Sequence, residues 1–304
     1  MLSASEPALP WGELEDELRS SPAEQWLRLG PQASVNAHHQ RQLLIARFAA
    51  APELRQALIH ADGPTTAWRE EAGRAVAGLP QQVRPCRRLS LTGPNLRFDL
   101  HAAATPGSRP FVLGLTGDWG LLMNPAPYVS ETLQRCGVDL LIVRRRWRGG
   151  YFRGGAGDWL RQVRAGMAEL CGRWRRPVAV LGTSAGGLAA LVMAERLGVR
   201  GVAIGASADA ELFARGGPVR RLRRWRRLRS CWGGPSLLVL HAADNGGDRA
   251  TAEMITERYR SLRWPPARLE RRAVAGSDEH NLVQSLVAQG QPLPDLLPAW
   301  LGLG

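Results

Sequence analysis

Residues 178–193 read V-A-V-L-G-T-S-A-G-G-L-A-A-L-V-M, and this stretch decides the fold. The apolar run Val178–Leu181 is typical of a buried strand, and the Ala/Leu-rich segment that follows is typical of a helix. Between them the G-x-S-x-G pattern is centred on Ser184, in its required strand–turn–helix setting. A serine on such a turn projects its hydroxyl above the sheet, where the N–H groups of the helix start face a developing anion. The stretch predicts a nucleophilic serine; a Gly/Ser-rich turn that binds a phosphate is the alternative.

The composition is that of a folded α/β protein of 304 residues with 44% hydrophobic residues. The first 25 residues lack the basic and apolar segments of a secretory signal, and we expect no membrane span because no run of 18 apolar residues exists. The spacing of the four cysteines favours neither a metal site nor a disulfide framework, and a cytoplasmic location is expected. These cysteines are Cys86, Cys136, Cys171 and Cys231.

The charge is strongly positive, since 40 basic residues, all of them arginine, face 27 acidic ones for a formal net charge of +13. A GC-rich genome favours arginine codons, so coding bias is an alternative to function as the cause of part of this excess. A charge of this size predicts attraction to anionic surfaces such as nucleic acid, acidic glycan or anionic lipid.

The periodicity of apolar residues changes near residue 87. Residues 1–86 show helical spacing and predict a helical accessory region. From residue 87 a predicted hairpin is followed by alternating strands and helices, which predicts an α/β fold with a doubly wound, mostly parallel sheet. No G-x-G-x-x-G follows the first strand, so no nicotinamide cofactor is expected, and no other cofactor or metal is predicted.

Two further polar residues follow predicted strands of this sheet, whose carboxyl ends gather reactive groups. Asp244 follows the strand predicted at 236–240, and His280 follows the strand predicted at 269–274. The chain order serine, acid, histidine is that of a nucleophile, an orienting carboxylate and a general base. Asp248 is predicted to cap the next helix, and it is the substitute if Asp244 points away.

The motifs G-T-S-A-G-G, H-A-A-D-N and S-D-E-H-N, in this order over residues 87–304, resemble those of the α/β-hydrolases. The resemblance implies Ser184 as nucleophile, Asp244 as orienting acid and His280 as general base. It also implies an oxyanion hole formed by the N–H of Ala185 and an N–H at Asp118. The carboxylate of Asp118 departs from the usual pattern, because it would oppose a developing oxyanion unless it is turned away or paired.

A basic segment within residues 207–234 interrupts the domain where α/β-hydrolases often carry a lid. As a helix it would form one apolar stripe surrounded by arginine. A lid helix packed on the core, a surface for anionic lipid, and a patch for anionic glycan or nucleic acid are the alternatives. The residues predicted to contact substrate are Gly117, Trp119, Arg144 and Trp225.

The sequence thus predicts a serine hydrolase or acyltransferase that acts on an ester or thioester through an acyl-enzyme. Arginines at the site mouth favour an anionic substrate. The motifs G-T-S-A-G-G-L-A-A-L and D-N-G-G-D together are similar to those of bacterial hydrolase-like proteins linked to glycan handling. This resemblance implies a glycan-linked acyl substrate as a further possibility. The alternative is an inactive scaffold of the same fold that binds an anionic glycan or a protein partner. A peripheral anionic surface is compatible with the charge, nucleic-acid binding is not favoured, and no oligomeric state is predicted.

Overall fold

A computed structural model describes 87–103, 105–117, 121–122, 126–145, 151, 156–207, 235–260, 268–277, 280 and 282–303. The predicted accessory region, residues 1–86, lies outside these described residues, as does nearly all of the basic segment, residues 208–234. The division of the chain at residue 87 and the lid therefore stay predictions.

Eight strands and six α-helices make up the described part of the chain. The strands are β1 (Arg87–Thr92), β2 (Leu96–Ala102), β3 (Phe111–Leu115), β4 (Asp139–Arg145), β5 (Ala179–Thr183), β6 (Arg200–Ile204), β7 (Ser236–Ala242) and β8 (Arg268–Val274). The helices are α1 (Ala126–Arg135), α2 (Ala156–Cys171), α3 (Gly187–Leu197), α4 (Gly246–Arg260), α5 (Leu282–Ala288) and α6 (Leu293–Leu301).

The strands form one sheet in the order β1-β2-β4-β3-β5-β6-β7-β8. The pairs β1–β2 and β2–β4 are antiparallel, and every later pair is parallel. The antiparallel start is the predicted hairpin around Gly93-Pro94-Asn95. The structure confirms the predicted α/β class with a mostly parallel, doubly wound sheet.

Both faces of the sheet are covered, because successive side chains of each strand point to opposite sides. One buried cluster joins alternate strand residues to apolar residues of α1, α5 and α6. The other joins the remaining strand residues to α2, α3 and α4. The central strands β3 and β5 are buried throughout, which explains why they read as continuous apolar runs.

Helix starts are where the sequence expectations and the structure differ. The helix predicted to be capped by Asp158 begins at Ala156, so that Asp158 lies inside its first turn and bonds Arg161 and Gln162. The helix predicted from about residue 249 begins at Gly246. The earlier start of this helix changes which carboxylate lies beside His280.

None of the helices in the described ranges is long and apolar enough to cross a membrane.

Candidate active site

Ser184 stands at the carboxyl end of β5, at the centre of the sheet, on the turn that enters α3. Its φ is +48°, a left-handed value that few residues other than glycine adopt. A single 3₁₀ turn, Ser184–Gly186, connects the strand to the helix. Such strain persists only where the surrounding structure imposes it, and it is typical of functional sites.

The glycines on either side of Ser184 allow the turn to pack closely. A Cβ added at Gly182 would lie 2.2 Å from the carbonyl oxygen of Gly186, and one added at Gly186 would lie 2.3 Å from that of Leu115. Neither contact is tolerable. The G-T-S-A-G sequence is therefore required by the close approach of β5, α3 and β3, which holds the strained serine in place.

His280 reaches Ser184 from the loop after β8. The Ser184 hydroxyl lies 3.0 Å from Nε2 of His280, so it is placed to donate a hydrogen bond to that nitrogen when the imidazole is neutral. The imidazole is half-buried. The two side chains that the sequence pairs, Ser184 and His280, are thus within proton-transfer distance.

Asp248 holds the other nitrogen of the imidazole. Nδ1 of His280 lies 2.7 Å from Oδ1 of Asp248, whose side chain is only 7% exposed. Asp248 occupies the first turn of α4, where the positive end of the helix dipole favours a carboxylate. This contact fixes the tautomer in which Nδ1–H donates to the carboxylate and Nε2 accepts from Ser184.

Asp244, the acid predicted from the sequence, does not occupy this position. Its side chain is exposed, and its backbone N–H donates to the carbonyl of Ser277 at 3.1 Å. The physical reason is the earlier start of α4. The side chain of Asn245 accepts from the N–H of Asp248 at 3.0 Å and so caps the helix itself. Asp248, predicted as that cap, is thereby turned toward His280.

The pKa of His280 is raised above its ordinary value of 6.5, first because of its hydrogen bond to Asp248 and also because of that carboxylate's charge, against the opposing effect of burial. If His280 serves as a general base it must be neutral, and activity that depends on it should fall as the pH drops below this raised pKa. We expect a kcat/KM profile for p-nitrophenyl acetate whose acidic limb has an apparent pKa above 6.5. An acidic limb at or below that value would contradict the pairing.

Gly205 forms one wall beside the imidazole. Its φ is +52°, and an added Cβ would lie 2.8 Å from the carbonyl oxygen of His280 and 3.5 Å from ring atoms. Gly205→Ala should therefore displace His280 and lower kcat/KM about tenfold or more. Left-handed strain should also cost about 1 kcal/mol of stability. Ester hydrolysis and thermal unfolding measure the two effects.

Gly198→Ala is the matched control for that variant. Gly198 has a φ of +65°, and nothing lies within 4 Å of an added Cβ. This variant should lose comparable stability and keep its kcat/KM. Equal activity of the two variants would show that Gly205 does not position His280.

Of the two residues predicted to form the oxyanion hole, the structure describes Ala185. Ala185 lies in the 3₁₀ turn directly after Ser184, where the first N–H groups of a helical segment have no partner within it. Gly117 packs against Ser184, since an added Cβ would lie 2.8 Å from Cβ of Ser184. The Gly117 N–H donates to Oγ1 of Thr183 at 3.3 Å. Asp118, the predicted second donor, lies outside the described residues.

The predicted substrate-contacting residues have mixed outcomes. Gly117 adjoins Ser184, as described. Arg144 donates from Nε to the buried carboxylate of Asp99 at 3.2 Å, and its side chain is 15% exposed. The structure thus gives this guanidinium an ion pair within the sheet, which the sequence did not reveal because Asp99 is distant along the chain. Trp119 and Trp225 lie outside the described residues.

The described residues contain no group of three or more His, Cys, Asp or Glu side chains that could hold a metal ion.

No family model and no curated protein matches this chain by sequence. Several solved structures are similar to this chain. An esterase from Pyrobaculum calidifontis is 18% identical, with 83% of this chain and 97% of that chain covered and a TM-score of 0.47. The esterase domain of a Rhodothermus marinus protein is 17% identical, with 71% and 98% covered and a TM-score of 0.46.

The site geometry places a hydroxyl, an imidazole and a buried carboxylate in one hydrogen-bonded row at the carboxyl ends of β5, β7 and β8. Such a row can activate the hydroxyl as a nucleophile and return its proton to a leaving group. The strained turn at Ser184, at the centre of a mostly parallel sheet, agrees with the strand–turn–helix setting predicted for the G-x-S-x-G motif.

Proposed function

We propose that the chain is a serine hydrolase that cleaves esters or thioesters through an acyl-enzyme on Ser184. The observation that carries this proposal is the row Asp248–His280–Ser184, with separations of 2.7 and 3.0 Å, anchored on a serine at φ +48°. The tautomer and the direction of each hydrogen bond are those that general-base activation requires.

In the first half-reaction the Ser184 oxygen attacks the acyl carbonyl while Nε2 of His280 takes the hydroxyl proton. The carbonyl oxygen becomes an oxyanion, for which the Ala185 N–H and an N–H at Asp118 are the proposed donors. The intermediate then collapses, and the leaving alcohol or thiol departs with the proton from His280. Asp248 stabilises the imidazolium throughout and is not itself protonated.

In the second half-reaction a water molecule gives a proton to His280 and attacks the Ser184 ester. Collapse of this intermediate releases the carboxylic acid and returns the proton to the serine. A hydroxyl compound in place of water would give acyl transfer by the same steps. From the sequence we also propose an anionic acyl group, because of the arginines, and a glycan-linked one, because of the motif similarity. A cytoplasmic setting is proposed from the spacing of the cysteines.

The test is stopped-flow mixing of the full chain with p-nitrophenyl acetate. We expect a burst of p-nitrophenolate close to one equivalent per chain if deacylation is the slower step, and steady turnover in either case. The absence of both a burst and steady turnover, across p-nitrophenyl esters of several chain lengths, would overturn the proposal. That result would favour the inactive-scaffold alternative.

A further inference from the structure

Arg97 and Arg144 stand side by side on the antiparallel strands β2 and β4. They are direct partners in the strand register, so their side chains leave the same face of the sheet. On the other side of Arg97 its partner is Thr92 of β1, which is exposed. The row Thr92–Arg97–Arg144 therefore presents one hydroxyl and two guanidinium groups, all of which can donate hydrogen bonds.

One buried carboxylate, that of Asp99, holds both guanidinium groups. Nε of Arg97 lies 3.5 Å from its Oδ1, and Nε of Arg144 lies 3.2 Å from its Oδ2. Among the described residues neither arginine has a second carboxylate partner. Two positive charges thus share one negative charge, although like charges directly opposite on neighbouring strands repel each other. The row keeps an excess positive charge that a single anion would balance.

The outer nitrogen atoms of these two side chains are the ones that a ligand can reach. Both contacts with Asp99 use Nε, and no described residue accepts a hydrogen bond from the Nη atoms of Arg97 or Arg144. The two side chains are 30% and 15% exposed. Since guanidinium groups match the geometry of a carboxylate, the row is suited to bind one from the solvent side.

The register of the sheet places this row at the same edge as Ser184. Strand β3 pairs with both β4 and β5, in such a way that Arg144 is level with Thr183, the residue before Ser184. Strand β2 lies one position beyond β4. Because neighbouring strands are about 4.8 Å apart, the backbones of Arg144 and Arg97 lie about 10 Å and about 14 Å from that of Thr183. One extended molecule can therefore meet Ser184 and the row together.

We propose that the Thr92–Arg97–Arg144 row binds a carboxylate at the far end of the substrate's acyl chain. The inference rests on the proposed hydrolase function and names the substrate class, a linear acyl ester or thioester that ends in a carboxylate. The excess of one positive charge over Asp99 matches a monoanion. Arg97 and Arg144 are then specificity-determining residues, and neither touches the reacting atoms at Ser184.

The probes are p-nitrophenyl half-esters of linear dicarboxylic acids, from adipate to sebacate. Each is compared with the same compound whose free carboxylate is capped as a methyl ester. At the best chain length we expect kcat/KM of wild type to be about tenfold or more higher for the free carboxylate, because charge-assisted hydrogen bonds are strong. The preference should shrink as salt is raised, since the two guanidinium groups are partly exposed.

Arg97→Gln should bring the ratio of the two kcat/KM values close to one, because the row then carries no charge beyond that balanced by Asp99. The fold should be retained. Asp99 keeps its ion pair with Arg144 and the hydrogen bond that it accepts from the hydroxyl of Ser90 at 2.6 Å. Steady-state hydrolysis of each pair of probes measures the ratio.

Arg135→Gln is the matched control, because Arg135 also pairs with a buried carboxylate. Its Nη2 lies 2.9 Å from Oε1 of Glu131, whose side chain is 5% exposed. Arg135 ends α1, shortly before the amino end of β4, and so lies at the edge of the sheet opposite Ser184. The same loss of charge at this edge should leave the wild-type ratio in place.

The outcomes separate this inference from the hydrolase function. Turnover of both probes by wild type with equal kcat/KM at every chain length overturns the carboxylate site alone. A wild-type preference that persists in Arg97→Gln, or that is lost equally in Arg135→Gln, also overturns it. If Arg97→Gln does not fold, a wild-type preference that is insensitive to salt contradicts the site. A wild-type chain that turns over neither probe overturns the hydrolase function and this site with it.

Discussion

Replacing Ser184 by alanine should lower kcat/KM for p-nitrophenyl esters by about 10⁴-fold or more, to the level that substrate binding and an oxyanion hole alone can sustain. The reason is that no acyl-enzyme can form without the hydroxyl that lies 3.0 Å from Nε2 of His280. Steady-state hydrolysis measures the loss, and the burst of p-nitrophenolate should vanish with it. The fold should be retained, since alanine removes a single atom.

Ser236→Ala is the control for that variant. Ser236 begins β7, at the amino ends of the parallel strands, whereas Ser184 lies at their carboxyl ends. The Ser236 hydroxyl accepts a hydrogen bond from Nη1 of Arg200 at 3.0 Å. Its removal should leave kcat/KM within about twofold of wild type, as is usual for sites remote from the chemistry. If Ser184→Ala kept wild-type turnover, the nucleophile would have to be another group.

Replacing Asp248 by asparagine should lower kcat by about 10³- to 10⁴-fold, because an amide can hold the imidazole in the wrong tautomer and cannot stabilise the imidazolium. The acidic limb of the kcat/KM profile should also move to lower pH, since the hydrogen bond and charge of Asp248 raise the pKa of His280. Steady-state rates over a range of pH measure both effects.

Asp244→Asn is the matched control, because it makes the same chemical change four residues earlier in the chain. The exposed side chain of Asp244 does not bond His280, and the backbone N–H that bonds Ser277 is retained. Activity should stay within about twofold of wild type. Loss of activity in Asp244→Asn with little loss in Asp248→Asn would reverse the assignment of the acid.

The parts of this fold that were predictable from sequence are those with local signals. Buried parallel strands read as short apolar runs, as at Phe111–Leu115, and the turn between β1 and β2 has its own turn residues. The turn at Ser184 was predictable because the close packing of β5, α3 and β3 requires glycine at Gly182 and Gly186. The proximity of Ser184 and His280 was predictable because both follow strands that end at the same side of the sheet.

The sequence placed Asp244 beside His280, where the structure has Asp248, because the choice between them depends on where α4 begins. Gly246 and Gly247 have low helix propensity, so the sequence favoured a later start. The cap by Asn245 instead begins the helix at Gly246. An asparagine three residues before an aspartate was the available signal, since the capping side chain bonds the N–H three positions later.

Contacts between distant residues could not be predicted in the same way. The hydrogen bonds of Tyr151 to Thr116 and Val143 join three segments of the chain, and no spacing rule relates them. The ion pair of Arg144 with Asp99 likewise depends on the antiparallel register of β2 and β4. Such contacts are set by the assembled sheet and are absent from any local pattern.

The proposed reaction requires Ser184 to be a nucleophile, and mass spectrometry after treatment with a fluorophosphonate tests this directly. We predict one covalent adduct per chain, mapped by peptide fragmentation to Ser184 and absent from Ser184→Ala. An unlabelled wild-type chain, or an adduct that maps to another residue and persists in Ser184→Ala, would contradict the account.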